Sequence, residues 1–101
     1  MSKFNDLING EVPVLLDIYA NWCAPCKVLS PILKEIKSDF KESLIILKID
    51  IDKNHALCEK LQVKGVPTMI LYKSGKLIWK QSGLISKNEI KSTIENKLSE
   101  N

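Results

Sequence analysis

Apolar residues follow two different spacings along the first half of the chain. Residues 12–20 are apolar at nearly every position, which is typical of a strand covered on both faces of a sheet, and only Asp17 interrupts them. Residues 24–40 instead carry an apolar residue every three or four positions, as on the buried face of an amphipathic helix. Residues 44–51 repeat the buried-strand pattern, so the order strand, helix, strand predicts a right-handed parallel crossover.

The next segment predicts a short helix and a hairpin. Residues 54–61 are predicted to form the short helix. A turn at residues 63–67, which contains a glycine and a proline, ends this helix. Residues 68–72 and 77–80 are strand-like. The polar turn between them, at 73–76, contains a Ser-Gly pair and has the length of a connection between antiparallel strands.

Helices are predicted at both ends of the chain. Phe4, Leu7 and Ile8 have helical spacing in a short opening segment. Ser86 and Glu89 have the spacing of a capping box ahead of a last amphipathic helix. We therefore expect a single α/β domain over the whole chain. It should have three layers, with a four-stranded mixed sheet flanked by helices.

Composition narrows the possible partners. The chain has 101 residues, of which 45% are hydrophobic and 27% charged, and its formal charge of +3 comes from lysines without a single arginine. Forked phosphate contacts are therefore absent, and we expect no nucleic-acid partner. No window approaches the roughly 20 apolar residues of a membrane span, and the start lacks a leader-like pattern. We expect a cytoplasmic monomer without membrane attachment.

Two of the three cysteines carry the strongest chemical signal. Cys23 and Cys26 are two residues apart, at the point where the first strand pattern gives way to the first long helix. Unpaired backbone N–H groups and the dipole at a helix start favour a thiolate, which predicts a redox-active dithiol. The alternative is a zinc site, which needs about four ligands, and the chain could add only His55 and Cys58.

Two further residues allow more than one interpretation. Asp17 lies in a two-faced apolar strand, where a buried carboxyl should have a raised pKa and suit proton transfer. It could instead lie at the sheet edge and face water. Cys58 follows Leu57 on the short helix, which favours a half-buried small hydrophobe over a regulatory or dimer-forming thiol.

The chain resembles the thioredoxin family from about residue 12 to its C-terminus. The matching residues keep the family's order: Asp17, Trp22-Cys23-Ala24-Pro25-Cys26-Lys27, Pro31, Lys48-Ile49-Asp50, Val66-Pro67-Thr68, Lys73-Ser74-Gly75 and Ser82-Gly83. Three features depart from the family pattern. Ala24 replaces the usual glycine, Tyr19 replaces a usual tryptophan, and the segment before Asp17 is too short for the usual first strand together with its helix. We expect the N-terminal edge strand to be absent.

The resemblance implies a mechanism and a set of site residues. It implies Cys23 as nucleophile, Cys26 as the more buried resolving thiol, and Asp17 as proton acceptor through water, with Lys48 near it. It also implies a cis bond before Pro67. The expected contact surface for an extended substrate consists of Trp22, Ala24, Pro25, Val66, Pro67, Gly83 and Leu84.

The resemblance also implies partners. Electrons should come from a flavin-dependent reductase that uses NADPH and pass to disulfide-containing client proteins. The Cys23–Cys26 pair itself carries the electrons, so no metal or organic cofactor is expected. Two alternatives stay open: an oxidase or isomerase, since Ala24 alters the pair of residues that helps set the redox potential, and a binding module without turnover.

Overall fold

The apolar runs form one four-stranded sheet in the computed structural model, which describes residues 2–100. Its strands are β1 (Val14–Tyr19), β2 (Ile45–Asp50), β3 (Thr68–Lys73) and β4 (Lys76–Ser82). Their order across the sheet is β2, β1, β3, β4. β1 is parallel to β2 and antiparallel to β3, which pairs antiparallel with β4. The predicted mixed sheet is confirmed, and no strand precedes β1 among the described residues.

Four helices flank the sheet: α1 (Ser2–Ile8), α2 (Ala24–Phe40), α3 (His55–Lys60) and α4 (Lys87–Ser99). Apolar residues of α2 and α4 pack on one face of the sheet, and those of α1 and α3 on the other. Single 3₁₀ turns at Lys41–Ser43 and Ile51–Lys53 were not predicted. Within residues 2–100, no helix is long and apolar enough to cross a membrane.

The inner strand β1 divides the core in two. Its side chains alternate between the faces, so that Leu15 packs with α2 and α4, while Leu16 and Ile18 pack with α1 and α3. All three are fully buried, as the run of apolar residues on both sides of Asp17 predicted. By the same alternation, Asp17 lies on the face that α2 covers.

The prediction of a fully buried second strand is wrong for the first half of β2. Ile45, Ile46 and Leu47 are half-buried and Lys48 is exposed, whereas Ile49 and Asp50 are buried. The reason is position, since β2 lies at the edge of the sheet and has a neighbour on one side only. An apolar run alone does not distinguish an edge strand from an inner one.

The hairpin turn between β3 and β4 also holds the end of α1. Ser74 and Gly75 both have positive φ, 52° and 81°, as in the two-residue turns whose twist suits a hairpin. The N–H of Gly75 donates to the carbonyl oxygen of Ile8 at 2.8 Å. A Cβ at residue 75 would come within 2.2 Å of Asn9 Oδ1, so Asn9 would have to move.

We predict that Gly75→Ala lowers the free energy of unfolding by about 1–2 kcal/mol, because alanine is strained at positive φ. Gly65→Ala is the matched control, since its φ is not in that range and no atom lies within 4 Å of its added Cβ. Urea titration of both oxidised variants and the parent measures the difference. Equal losses in the two variants would contradict the role of Gly75.

Candidate active site

Cys23 occupies the junction between β1 and α2, where the chain changes from extended to helical. It is the N-cap residue of α2, with an extended backbone (φ −91°, ψ 109°). The backbone N–H of Cys26 donates to Cys23 Sγ at 3.2 Å, so the sulfur takes the place of a capping oxygen. A negative charge on this sulfur would be stabilised by that N–H and by the helix dipole.

Cys23 and Cys26 form a disulfide, with their Cα atoms 5.3 Å apart. Their exposed fractions are 4% and 5%, so the expectation that Cys26 is the more buried of the two is wrong for this oxidised form. Both cysteines belong to a small buried cluster with Ala20, against which Val66 packs from a distant loop. Exposure of the whole residue therefore does not tell the nucleophile from the resolving thiol.

A second loop completes the site next to the disulfide. The Val66–Pro67 bond is cis, as the family resemblance implied. Val66 packs against the cluster of Ala20, Cys23 and Cys26. The backbone N–H of Gly83 donates to the carbonyl oxygen of Pro67 at 2.9 Å, which brings the end of β4 to the same place. Val66, Pro67 and Gly83 thus come together beside the disulfide, although they lie 44 or more positions after Trp22 in the sequence.

Two of the predicted contact residues are exposed large hydrophobics: Trp22, which precedes Cys23 in the chain, is 70% exposed, and Leu84, which follows Gly83, is 41% exposed. Ala24 and Pro25 lie exposed in the first turn of α2. The indole Nε1 of Trp22 donates to Asp52 Oδ2 at 2.8 Å. This contact was missed from the sequence, because Asp52 lies 30 positions away and belongs to an unpredicted 3₁₀ turn.

Asp17 is buried beneath α2 and is only 2% exposed. The alternative of a water-facing residue at the sheet edge is therefore wrong. No hydrogen-bond partner for its Oδ1 atom is present among residues 2–100. Burial raises the pKa of this carboxyl above its usual range, and the positive charge of Lys48 lowers the pKa in part.

Lys48 lies directly opposite Asp17 in the parallel register of β1 and β2. Its ammonium Nζ donates to Ser30 Oγ at 3.2 Å and lies 4.8 Å from the centre of the Tyr19 ring. The described residues contain no ion pair between Lys48 and Asp17 within 4.0 Å. Lys48 therefore lies near Asp17, as predicted, but its positive charge acts on the carboxyl without a direct ion pair.

Two clefts meet beside Lys48. One, of about 220 Å³, has Asp17 in its wall, and the other, of about 140 Å³, has Cys26 in its wall. Ser30 and Lys48 line both clefts. Water could therefore reach both the buried carboxyl and the resolving sulfur along one lysine and one serine. The sequence offered no signal for Ser30, an ordinary polar residue within a helix.

Cys58 and His55 lie on α3, where they line a separate cleft of about 690 Å³. Cys58 is a free thiol, 2% exposed, and burial raises its pKa. It packs in the core on the face covered by α1 and α3, which agrees with its reading as a small hydrophobe. In the described part of the chain, no group of three or more His, Cys, Asp or Glu side chains could hold a metal ion.

A family model described as Thioredoxin matches residues 1–96. Thioredoxin Y2, a chloroplastic protein of Arabidopsis thaliana, is 41% identical over 98 residues, which are 96% of this chain and 59% of the relative. Thioredoxin 1 of Chlorobaculum tepidum is 35% identical over 91 residues, which are 89% of this chain and 90% of the relative.

Two further matches bear on partner and fold. A bifunctional thioredoxin reductase/thioredoxin of Mycobacterium leprae is 41% identical over 75 residues, which are 74% of this chain and 16% of that protein. A solved structure of a mutant thioredoxin from Halobacterium salinarum superposes with a TM-score of 0.89 at 31% identity, covering 100% of this chain and 88% of that one. Given this sequence match over nearly the whole chain and the shared architecture around a paired Cys-x-x-Cys, the chain belongs to the thioredoxin family.

Proposed function

We propose that this thiol–disulfide oxidoreductase reduces client disulfides with Cys23 as the nucleophile and Cys26 as the resolving thiol. The observation that carries the assignment is the position of Cys23, whose sulfur caps α2 and accepts the N–H of Cys26. A sulfur in that position gains stability on ionisation, and the thiolate is the attacking species in disulfide exchange.

The reaction then runs in two exchanges. The Cys23 thiolate attacks one sulfur of the client disulfide, forming a mixed disulfide and releasing the other client sulfur as a thiolate. Cys26 loses its proton and attacks Cys23 Sγ, which releases the second client sulfur. The client has gained two electrons, and the protein is left with the Cys23–Cys26 disulfide, the form that the structure contains.

Asp17 is the proposed acceptor of the Cys26 proton. Its carboxyl is buried, and its raised pKa brings it closer to the pH at which the reaction runs, which is the condition for an efficient general base. The two clefts beside Lys48 offer room for water between the carboxyl and the sulfur. A proton would pass from Cys26 through water to Asp17 and leave to solvent after the client is released.

The cis Val66–Pro67 loop is the proposed binding edge for the client. Val66 lies against the disulfide, and its backbone could pair with an extended client segment, as in β-strand addition. Trp22, Ala24, Pro25 and Gly83 would supply the shallow surface around it. We propose that Leu84 extends the apolar part of this surface.

We propose that a flavin-dependent reductase using NADPH restores the dithiol. The Mycobacterium leprae relative named as a bifunctional thioredoxin reductase/thioredoxin supports partnership with a thioredoxin reductase in general. No other cofactor is required, because the two cysteines hold the electrons. We propose the cytoplasm as the compartment, since a chain that carries a free buried Cys58 as well as a catalytic dithiol suits a reducing environment.

For the nucleophile, we predict that Cys23→Ser abolishes insulin reduction with a dithiol donor, leaving the rate of the donor alone. A serine hydroxyl is not ionised near neutral pH and cannot carry out thiol exchange. Cys58→Ser is the control and should keep the parent rate, because Cys58 lies on another face of the sheet. Full turnover by Cys23→Ser would show that the nucleophile is wrongly assigned.

For the base, we predict that Asp17→Asn slows release of the mixed disulfide on the order of 10²-fold, since the amide accepts no proton. The rate is measured with thionitrobenzoate joined to Cys23 as a mixed disulfide, because absorbance detects thionitrobenzoate when Cys26 displaces it. Asp39→Asn, which alters an exposed carboxylate on α2, should release at the parent rate. If Asp17→Asn also matched the parent, Asp17 would have no part in the proton transfer.

A further inference from the structure

Lys48 is held in one place although its residue is exposed. An exposed lysine ordinarily keeps its ammonium in water on a flexible stem, and fixing it costs side-chain entropy. Here Nζ donates to Ser30 Oγ and lies over the Tyr19 ring, so two elements, α2 and β1, hold it from two sides. The resulting position is the meeting point of the Asp17 cleft and the Cys26 cleft.

We propose that Ser30 is a positioning residue for the resolving step, because it holds the Lys48 ammonium at the junction between Asp17 and Cys26. The inference rests on the proposed role of Asp17 as proton acceptor. It adds that the Ser30 hydroxyl, one turn beyond Cys26 on α2, determines where the positive charge of Lys48 lies relative to Asp17.

The other groups facing Asp17 do not duplicate this charge. Lys34 and Lys37 on α2 also line the cleft. The Nζ of Lys37 is engaged with the carbonyl oxygens of Lys41 and Leu44, at the far end of the helix. On the other side of β1, the register partner of Asp17 is Met69 of β3, which carries no charge. Lys48 is the group whose charge lowers the pKa of Asp17.

Removing the Ser30 hydroxyl has a defined consequence. Without that acceptor the ammonium is free to return to water, where its hydration is strong and its effect on a buried carboxyl is weaker. The carboxylate form of Asp17 then loses stabilisation, and the pKa of Asp17 rises further. Fewer molecules hold a deprotonated base at neutral pH, so the inflection of the resolving rate moves to higher pH.

The test is a carbon-13 NMR titration of Asp17 in the oxidised protein, where Cys23 and Cys26 do not titrate. For Ser30→Ala we expect the pKa of Asp17 to rise by about 0.3–1 unit, the size of a screened charge effect. Ser30→Thr, which keeps the hydroxyl, should titrate like the parent. Ser38→Ala, an exposed serine on the same helix, is the control and should also match it.

A double variant separates positioning from a general loss of structure. In a Lys48→Met background, Ser30→Ala should add no further shift, because the charge that Ser30 positions is gone. The pH profile of thionitrobenzoate release should move with the titration in the single variant. An unchanged or lowered pKa in Ser30→Ala, or an equal shift in the Lys48→Met background, would overturn the proposal. The titration needs no turnover, so failure of the proposed function would show separately, in the parent's insulin assay.

Discussion

Burial of the Asp17 carboxyl in the inner strand is the constraint on which the rest of the site depends. A charged carboxyl without a partner is unfavourable in a protein interior, and one oxygen of Asp17 has no hydrogen-bond partner among residues 2–100. Apolar residues hold the surrounding sheet in place, since Leu15, Leu16 and Ile18 on the same strand are fully buried. The core thus supplies the stability that tolerates an unfavourable group at the position of the proposed base.

The sulfur chemistry depends on a different local feature, the start of α2. The N-cap position of Cys23 gives its sulfur a hydrogen bond that an oxygen would normally accept. The cis loop at Val66–Pro67 and the N–H of Gly83 close the site from the other side. In the proposed mechanism, the junction of β1 with α2 therefore activates the thiol, and loops from the second half of the chain would hold the client against it.

Local patterns in the sequence predict most of the architecture. Apolar spacing, together with the composition of residues 54–61, identified the four strands and four α-helices found within residues 2–100, and the Ser-Gly pair identified the hairpin. Burial of β1 followed from its nearly continuous apolar run. The same pattern gave a wrong prediction for β2, whose position at the sheet edge depends on strand order. Strand order is a property of the whole sheet and leaves little trace in a single strand.

The active site, like the fold, could be predicted from the sequence only in part. Cys23 and Cys26 could be found from their spacing and from the change of period at residue 24. The cis bond before Pro67 came only from the family resemblance, because most X-Pro bonds are trans. Ser30 and Asp52 could not be predicted, since their roles arise from contacts with Lys48 and Trp22 across the fold. Ordinary polar residues gain such roles only through tertiary geometry.

The most direct test of the central claim, that Asp17 is a buried carboxyl with a raised pKa, is the pH dependence of stability. Asparagine resembles the protonated acid, so the parent and Asp17→Asn are compared by urea unfolding in the oxidised state. A raised folded pKa means that the parent loses stability as pH rises from the unfolded value near 3.8 through the folded value.

Asp17→Asn should accordingly be the more stable protein at neutral pH. Its advantage should shrink as the pH falls through the folded pKa and toward 3.8, and should vanish below 3.8, where Asp17 is protonated in both the folded and the unfolded parent. Asp39→Asn should show no such gain, because the pKa of that exposed carboxyl is lowered by its lysine partners. A stability difference between Asp17→Asn and the parent that stays constant with pH would contradict the account.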